Sequence, residues 1–317
     1  MMRMEKARPA TTIMHAGSRF GRYKGITESP VRDIGVNDAV LRQMEDAWKR
    51  LDPWGMTVEN YQETCELVKR VDCTAKDVET FTIGLAGHQE ENDFSDKAGM
   101  FLSALMNSGK DSRYVIHTAH LQEMISSLGY RNTKDIEIDG DLGSYTGDEM
   151  ESGTITVHGN VEDCLGFCMR GGRIFVERNA DDEAGRGMEG GEIIIAGSVG
   201  DNLGGGMENG RIIVEGDAYG SVGTSMKGGE VVVKGSVYGN AGEEMEAGKI
   251  VIEGDVIDIG NTGKHMGKPR VQRVKVGAGI GMGMAGGEIW LDGRFHHLSH
   301  MIEHGKIYHK GKLILEK

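Results

Sequence analysis

The sequence predicts a mainly β protein in which a parallel β-helix of about eight coils follows an α-helical domain. A methionine recurs between residues 150 and 284 at intervals of 19, 19, 19, 19, 19, 21 and 18 residues. A glycine stands three residues before each of these methionines. A fixed period of this length is typical of a solenoid, in which each repeat forms one coil of a stack.

Each repeat contributes one glycine, one methionine and one short β-branched run such as residues 193–195. The runs are too short for helices, so we expect one strand per coil. The methionines should face the core, and the glycines should occupy turns, because glycine adopts positive φ freely. The repeat glycines are Gly147, Gly166, Gly185, Gly204, Gly223, Gly242, Gly263 and Gly281. The repeat methionines are Met150, Met169, Met188, Met207, Met226, Met245, Met266 and Met284.

The distribution of glycine divides the chain of 317 residues. Of its 50 glycines, 40 lie after residue 133. We therefore expect an N-terminal arm and α-helical domain at 1–133, the β-helix domain at 134–293 and a histidine-rich C-terminal cap at 294–317. A cap is needed because the last coil of a solenoid would otherwise expose its core. The helical domain should cover the opposite end.

Charge and cysteine content limit the functional classes. The net charge is −13, of which −10 falls after residue 130, and no basic stripe accompanies it. This balance argues against binding nucleic acid or an anionic membrane surface. The sequence shows no apolar run of membrane-spanning length and no signal-peptide core. Its four cysteines do not resemble a disulfide framework, so we expect a cytoplasmic protein.

The N-terminal part shows a basic arm followed by helical patterns. The arm, residues 1–35, is expected to lie on the protein or on a partner. Apolar residues recur at helical spacing in the segments that follow, and polar residues precede several of them as N-caps. The helices are predicted at 37–51, from 57, at 74–81, at 93–106 and at 117–128.

Three histidines in the C-terminal segment suggest one chemical alternative. His296, His300 and His304 are spaced four residues apart, so a helix would place the three imidazoles on one face. Such a face could bind a metal ion. The competing interpretation is a polar face of the cap or a contact face for a partner.

Other candidate motifs are better explained by the repeat. Cys164 and Cys168 lie at repeat positions, and their spacing differs from that of common zinc and redox motifs, so we expect them to pack as small apolar residues. The Gly204–Gly206 loop lacks the following helix that a dinucleotide site requires. Four acidic residues beside the methionines are expected to form a ladder on one outer edge. They are Glu149, Glu189, Glu208 and Glu244.

The repeated motif resembles the GXGXG family. It is seen in residues 185–197 (GRGMEGGEIIIAG) and 223–235 (GTSMKGGEVVVKG), and the resemblance covers about residues 136–293. The family includes the C-terminal domain of the glutamate synthase large subunit and the β-helical subunit of formylmethanofuran dehydrogenase. The resemblance implies a right-handed parallel β-helix without recognised catalytic residues. It does not extend to the N-terminal helices.

The resemblance implies a structural or assembly subunit of a multi-subunit redox or amide-transfer complex. Such a chain would be a non-catalytic part of an oxidoreductase complex and would bind no cofactor itself. Partner subunits would carry flavin, iron–sulfur or molybdenum/tungsten pterin, and a homo-oligomer is left open. The alternative, from a different class, is an independent metal-dependent enzyme or metal-binding protein that uses His296, His300 and His304.

Overall fold

A parallel β-solenoid of about nine turns follows a small group of N-terminal helices in the computed structural model. The structure describes residues 38–51, 57–257 and 279–317. These residues belong to one compact unit. The mainly β fold with a parallel solenoid, as predicted from the repeat, is confirmed. None of the described helices is long and apolar enough to cross a bilayer.

In the part of the chain that the structure describes, four α-helices and a 3-10 turn precede the solenoid. The helices are α1 (Asp38–Arg50), α2 (Val58–Val68), α3 (Ala75–Gly84) and α4 (Phe94–Ser108), and the 3-10 turn is Leu85–Gly87. Thr74 caps α3 reciprocally with Asp77: each side chain accepts a hydrogen bond from the other residue's backbone N–H. Trp48, Phe81, Phe94 and Phe101 are buried together between the helices.

The described residues contain eleven strands, which form one sheet in chain order. They are β1 (Arg113–His117), β2 (Asp135–Asp139), β3 (Thr154–Val157), β4 (Arg173–Val176), β5 (Glu192–Ile195), β6 (Arg211–Val214), β7 (Glu230–Val233), β8 (Lys249–Ile252), β9 (Ala285–Leu291), β10 (His304–His309) and β11 (Lys312–Glu316). Strands β1 to β10 are parallel, and β11 pairs antiparallel with β10.

The core consists of columns of equivalent residues from successive turns. Two columns come from each strand, because the first and third of every Ile/Val-rich run face inward, as Ile193 and Ile195 do. Further columns come from the turns and include all the described repeat methionines, each of which is fully buried. Each turn therefore buries about five apolar side chains against the turns above and below it.

The last two predicted repeats differ from the observed stack. Gly263 and Met266 lie outside the described residues. Strand β8 pairs directly with β9, and Ala285 and Gly286 donate backbone hydrogen bonds to the carbonyl of Met245. Met284 therefore follows Met245 in the stack, without a strand between them. The expected count of eight coils is not confirmed.

One turn of the solenoid was predicted as a helix. The helix expected at 117–128 is wrong, because β1 ends at His117 and Ile125 and Leu128 belong to the buried inner columns. At the end of this turn, Gly129 has a φ of 82°. The Asn132 carbonyl accepts hydrogen bonds from the backbone of the next turn, as the Met150 carbonyl does one turn later.

Different elements cover the two ends of the solenoid. At the first turn, α4 lies so close that a Cβ on Gly99 would be 1.7 Å from the carbonyl oxygen of residue 126. At the last turn, the hairpin of β10 and β11 ends the sheet, in the segment expected to form a cap. Ile302 is buried there under the last methionine-containing turn. The predicted boundary at residue 134 falls between β1 and β2, which are neighbours in the sheet.

Candidate functional site

A continuous apolar stripe runs along the outward side of the sheet. It is formed by the residue between the two inward residues of each strand from β4 to β9, where a soluble sheet normally carries polar side chains. The apolar stripe consists of Phe175, Ile194, Ile213, Val232, Val251 and Trp290, each paired with the next across the ladder. All are half-buried except Val232, which its neighbours cover almost completely.

Polar and aromatic residues mark the two ends of the apolar stripe. Before Phe175 the same column holds Thr156, and after Trp290 it holds Tyr308. The Trp290 and Tyr308 rings stack with centroids 3.9 Å apart. A ladder of six outward apolar residues is unusual for a solvated sheet face and is typical of a contact surface for another protein.

Charged residues that alternate in sign border one side of the apolar stripe. This alternating column occupies the position two residues before the stripe and consists of Arg173, Glu192, Arg211, Glu230, Lys249 and Glu288. Within the chain, Arg211 Nε lies 2.9 Å from Glu230 Oε2, and Lys249 Nζ lies 3.1 Å from Glu230 Oε1. These exposed pairs contribute little stability individually, but they give the surface an ordered charge pattern.

A second column borders the other side of the apolar stripe and is mostly acidic. This acidic column consists of Glu177, Ala196, Glu215, Lys234, Glu253 and Asp292. Its one cation, Lys234, lies 2.7 Å from Glu215. An apolar centre between two charged borders is the usual anatomy of a protein–protein interface.

The turn after each strand carries a polar ladder that the sequence analysis missed. In this ladder, the side-chain oxygen of each residue accepts a hydrogen bond from the backbone N–H of the equivalent residue in the next turn. The Ser198 N–H donates to Asn179 Oδ1 at 2.9 Å, and the Ser236 N–H donates to Asp217 Oδ1 at 2.7 Å. The recurrence of short polar side chains every 19 residues in the sequence could have revealed this ladder. The ladder consists of Asp141, Asn160, Asn179, Ser198, Asp217, Ser236 and Asp255.

The four predicted acidic residues do not occupy one column. Glu149 and Glu244 precede their methionines, and both have positive φ. Glu189 and Glu208 follow their methionines and lie in the neighbouring column. The single acidic ladder expected from the sequence is therefore corrected to two columns, each interrupted by other residue types.

The three histidines do not share a helical face. His296 lies in a bend, His300 in a turn and His304 at the start of β10, and all three are exposed. The helix on which the metal prediction depended is therefore not formed. Among the residues that the structure describes, no group of three His, Cys, Asp or Glu side chains is arranged to hold a metal ion.

The cysteines are unpaired and poorly suited to nucleophilic chemistry. Cys164 and Cys168 belong to turns and have positive φ. Cys164 is buried, as expected, whereas Cys168 is only partly buried. Burial, with the nearby Glu183 carboxylate, raises the pKa of the Cys164 thiol to about 11. Burial also raises the pKa of Cys168, with a further contribution from Asp148. Neutral thiols are weak nucleophiles, so these residues favour a structural role.

A charged cluster surrounds Asp148 near the first turns of the solenoid. The Glu149 carboxylate lies 2.9 Å from Nη2 of both Arg131 and Arg170. Beside it, Oδ1 of Asp148 is buried and accepts no hydrogen bond from the described part of the chain. Burial, together with the adjacent Glu149 charge, raises the pKa of Asp148 to about 7.

The Asp148 cluster should make stability depend on pH. An acid whose pKa is raised on folding is protonated in the folded state but ionised in the unfolded state between pH 4 and about 7. Its contribution therefore falls as pH rises through this window. We expect Asp148→Asn to remove this loss. The free energy of unfolding of the variant minus that of the wild type should therefore be higher at pH 8 than at pH 4 by roughly 2 kcal/mol.

Urea denaturation of the wild type and Asp148→Asn between pH 4 and 8 measures this difference. The control is Asp141→Asn, because Asn160 already stands in the same column one turn later. A difference between Asp148→Asn and the wild type that does not change with pH would contradict the assignment.

Comparison with protein-family models finds no match, and comparison with curated proteins finds none either.

Proposed function

We propose that this chain is a structural and assembly subunit of a multi-subunit redox or amide-transfer complex, glutamate synthase-like or formylmethanofuran dehydrogenase-like. The observation that carries the proposal is the apolar stripe between its two charged columns. A surface of this kind is best explained by contact with protein. The resemblance of the 19-residue motif to the GXGXG family supplies the class of complex.

The finer features of the proposal also rest on that resemblance. The solenoid is right-handed and the motif is of the GXGXG type. The location in the cytoplasm rests instead on the cysteine content, which does not resemble a disulfide framework. Catalysis belongs to partner subunits, which hold flavin, iron–sulfur or molybdenum/tungsten pterin. The metal-binding alternative gains no support from the described residues, because His296, His300 and His304 do not converge.

We expect the tagged chain, recovered from its native cells after mild cross-linking, to bring down subunits that contain such a cofactor. The purified chain alone should show no glutaminase, reductase or dehydrogenase turnover. Mass spectrometry of the recovered subunits and their absorbance spectra provide the measurement. Recovery without cofactor-bearing subunits, or turnover by the isolated chain, would contradict the proposed function.

A further inference from the structure

We propose that the apolar stripe binds the same stripe of a second copy of this chain, in a two-fold symmetric dimer with antiparallel solenoids. This inference deepens the proposed function, on which it rests for the role of the dimer as an assembly core. Two sheets can pack face to face at about 10 Å when their facing sides are apolar. A two-fold axis requires the surface to be complementary to itself.

The alternating column has this self-complementarity. A two-fold axis parallel to the strands and midway between β6 and β7 places β6 over β7, β5 over β8 and β4 over β9 of the other copy. Residues of the alternating column then face opposite charges throughout. The facing pairs are Arg211 with Glu230, Glu192 with Lys249, and Arg173 with Glu288.

The same axis fits the apolar stripe and the centre of the acidic column. Its position is the midpoint of the six-residue stripe, so aliphatic residues face aliphatic residues at the centre, and Phe175 faces Trp290 at both ends. In the acidic column, Glu215 faces Lys234. At the outer end of that column, Glu177 faces Asp292, where two acidic groups at the rim are exposed to solvent and are screened by salt.

The helices favour antiparallel over parallel solenoids. Glu79 of α3 lies 3.4 Å from the outward-facing imidazole of His117 on β1, so α3 flanks the sheet at its first strand. A two-fold axis along the solenoid would bring the α3 helices of both copies together at the same end. In the antiparallel arrangement β2 faces β11, and β1 with α3 lies beyond the last strand of the partner copy.

A charge exchange tests both the dimer and its register. Glu192 and Lys249 are three strands apart in one chain, about 14 Å, and cannot form a pair there. We expect Glu192→Lys and Lys249→Glu each to raise the dimer dissociation constant at least tenfold, because each creates two like-charge contacts. The double variant Glu192→Lys/Lys249→Glu should return to within about threefold of the wild type.

The matched control exchanges charges within one chain. Glu230→Lys/Lys249→Glu keeps an opposite-charge pair between these two neighbours. Across the proposed interface, however, residue 230 would then face Arg211 and residue 249 would face Glu192, both with like charge. This double variant should therefore dissociate as readily as the single variants, with a circular dichroism spectrum like that of the wild type.

An apolar variant completes the test. Ile213→Glu should give a monomer, because a carboxylate would be buried at the centre of the interface. Tyr219→Glu should stay dimeric, because Tyr219 is exposed elsewhere on the same turn. Sedimentation equilibrium of the purified chains at roughly 10 µM provides the measurement, and the wild type should sediment at about twice its chain mass of 34.4 kDa.

A monomeric wild type overturns the dimer, and so does a dimer that Ile213→Glu leaves intact. Failure of Glu192→Lys/Lys249→Glu to restore association overturns the antiparallel register. These results are separable from the proposed function. A monomer that still copurifies with cofactor-bearing subunits removes only the dimer. A dimer without such subunits removes only the proposed complex.

Discussion

Met207→Asp is expected to lower the free energy of unfolding by several kcal/mol, whereas Glu208→Ala should change it by less than about 0.5 kcal/mol. The two residues are adjacent but face opposite sides of the turn. Met207 is fully buried. Glu208 is about half exposed, and its carboxylate lies 3.0 Å from Lys227 in the next turn.

The contacts of Met207 explain the size of the expected effect. Its Cε lies only 2.7 Å from the position that a Cβ on residue 229 of the next turn would occupy, so the methyl group fills the space left by Gly229. An aspartate would leave this space empty and would bury a carboxylate without a cationic partner. Removing Glu208 breaks one exposed ion pair, which contributes little.

Guanidinium denaturation of both variants measures the difference. Met207→Leu serves as a control for a change of shape alone, and it should cost less than about 1.5 kcal/mol. Equal denaturation midpoints for Met207→Asp and Glu208→Ala would show that the assigned orientation of this turn is incorrect.

The contact between a methionine and the glycine of the next turn also explains the sequence repeat. In six successive pairs, the methionine Cε lies 2.6–2.9 Å from the Cβ position of a glycine in the following turn. The flexible methionine side chain therefore fills the space that the glycine, which has no side chain, leaves free. These glycines, such as Gly229, lie three residues after a repeat methionine and form a different column from the repeat glycines, such as Gly223, which lie three residues before it. The contact makes the methionine and the later glycine recur together, and this regular recurrence allowed the sequence to predict the solenoid and its inward methionines.

The sequence was less informative where chemically different residues fill the same structural position. The turn ending at Asn132 lacks a methionine and is followed by an 18-residue spacing, so its Gly129 was not recognised as part of the repeat. The apolar stripe was hidden for another reason. Runs such as residues 193–195 are apolar on both faces of the strand, and their pattern does not distinguish an inward from an outward residue.

The three histidines do not lie on a helix, because helical spacing alone does not establish one. His296, His300 and His304 have the helical interval, but the segment between them forms a bend, an isolated bridge at Leu298 and a turn before β10 begins at His304. In a solenoid the local chain direction is dictated by stacking on the previous turn, here through the β9–β10 ladder. Local propensity in a short terminal segment is readily overridden by such tertiary contacts.

Gly204→Val is expected to cost roughly 2–4 kcal/mol, and Gly205→Val less than about 1 kcal/mol. Gly204 has a φ of 65°, a conformation that β-branched residues strongly disfavour. A Cβ there would also lie 2.9 Å from Cγ2 of Val231, an inward residue of β7. Gly205 does not have positive φ, and the three atoms nearest to its Cβ position all belong to the side chain of Asn202, which can move.

Gly206 allows the two causes at Gly204 to be separated. Its φ is 64°, nearly the same as that of Gly204, but a Cβ there would have no atom within 4 Å. Equivalent positions hold Glu149 and Glu244 at positive φ, so a side chain is tolerated in this column.

The alanine variants therefore divide the cost into two parts. Gly206→Ala should show the backbone penalty alone, about 1 kcal/mol. Gly204→Ala should show the same penalty plus the cost of displacing Val231 from the core of the next turn. Denaturant midpoints of the four variants decide the outcome. If Gly204→Ala and Gly206→Ala unfold at the same midpoint, backbone conformation alone requires this glycine, and the close approach of the next strand contributes nothing.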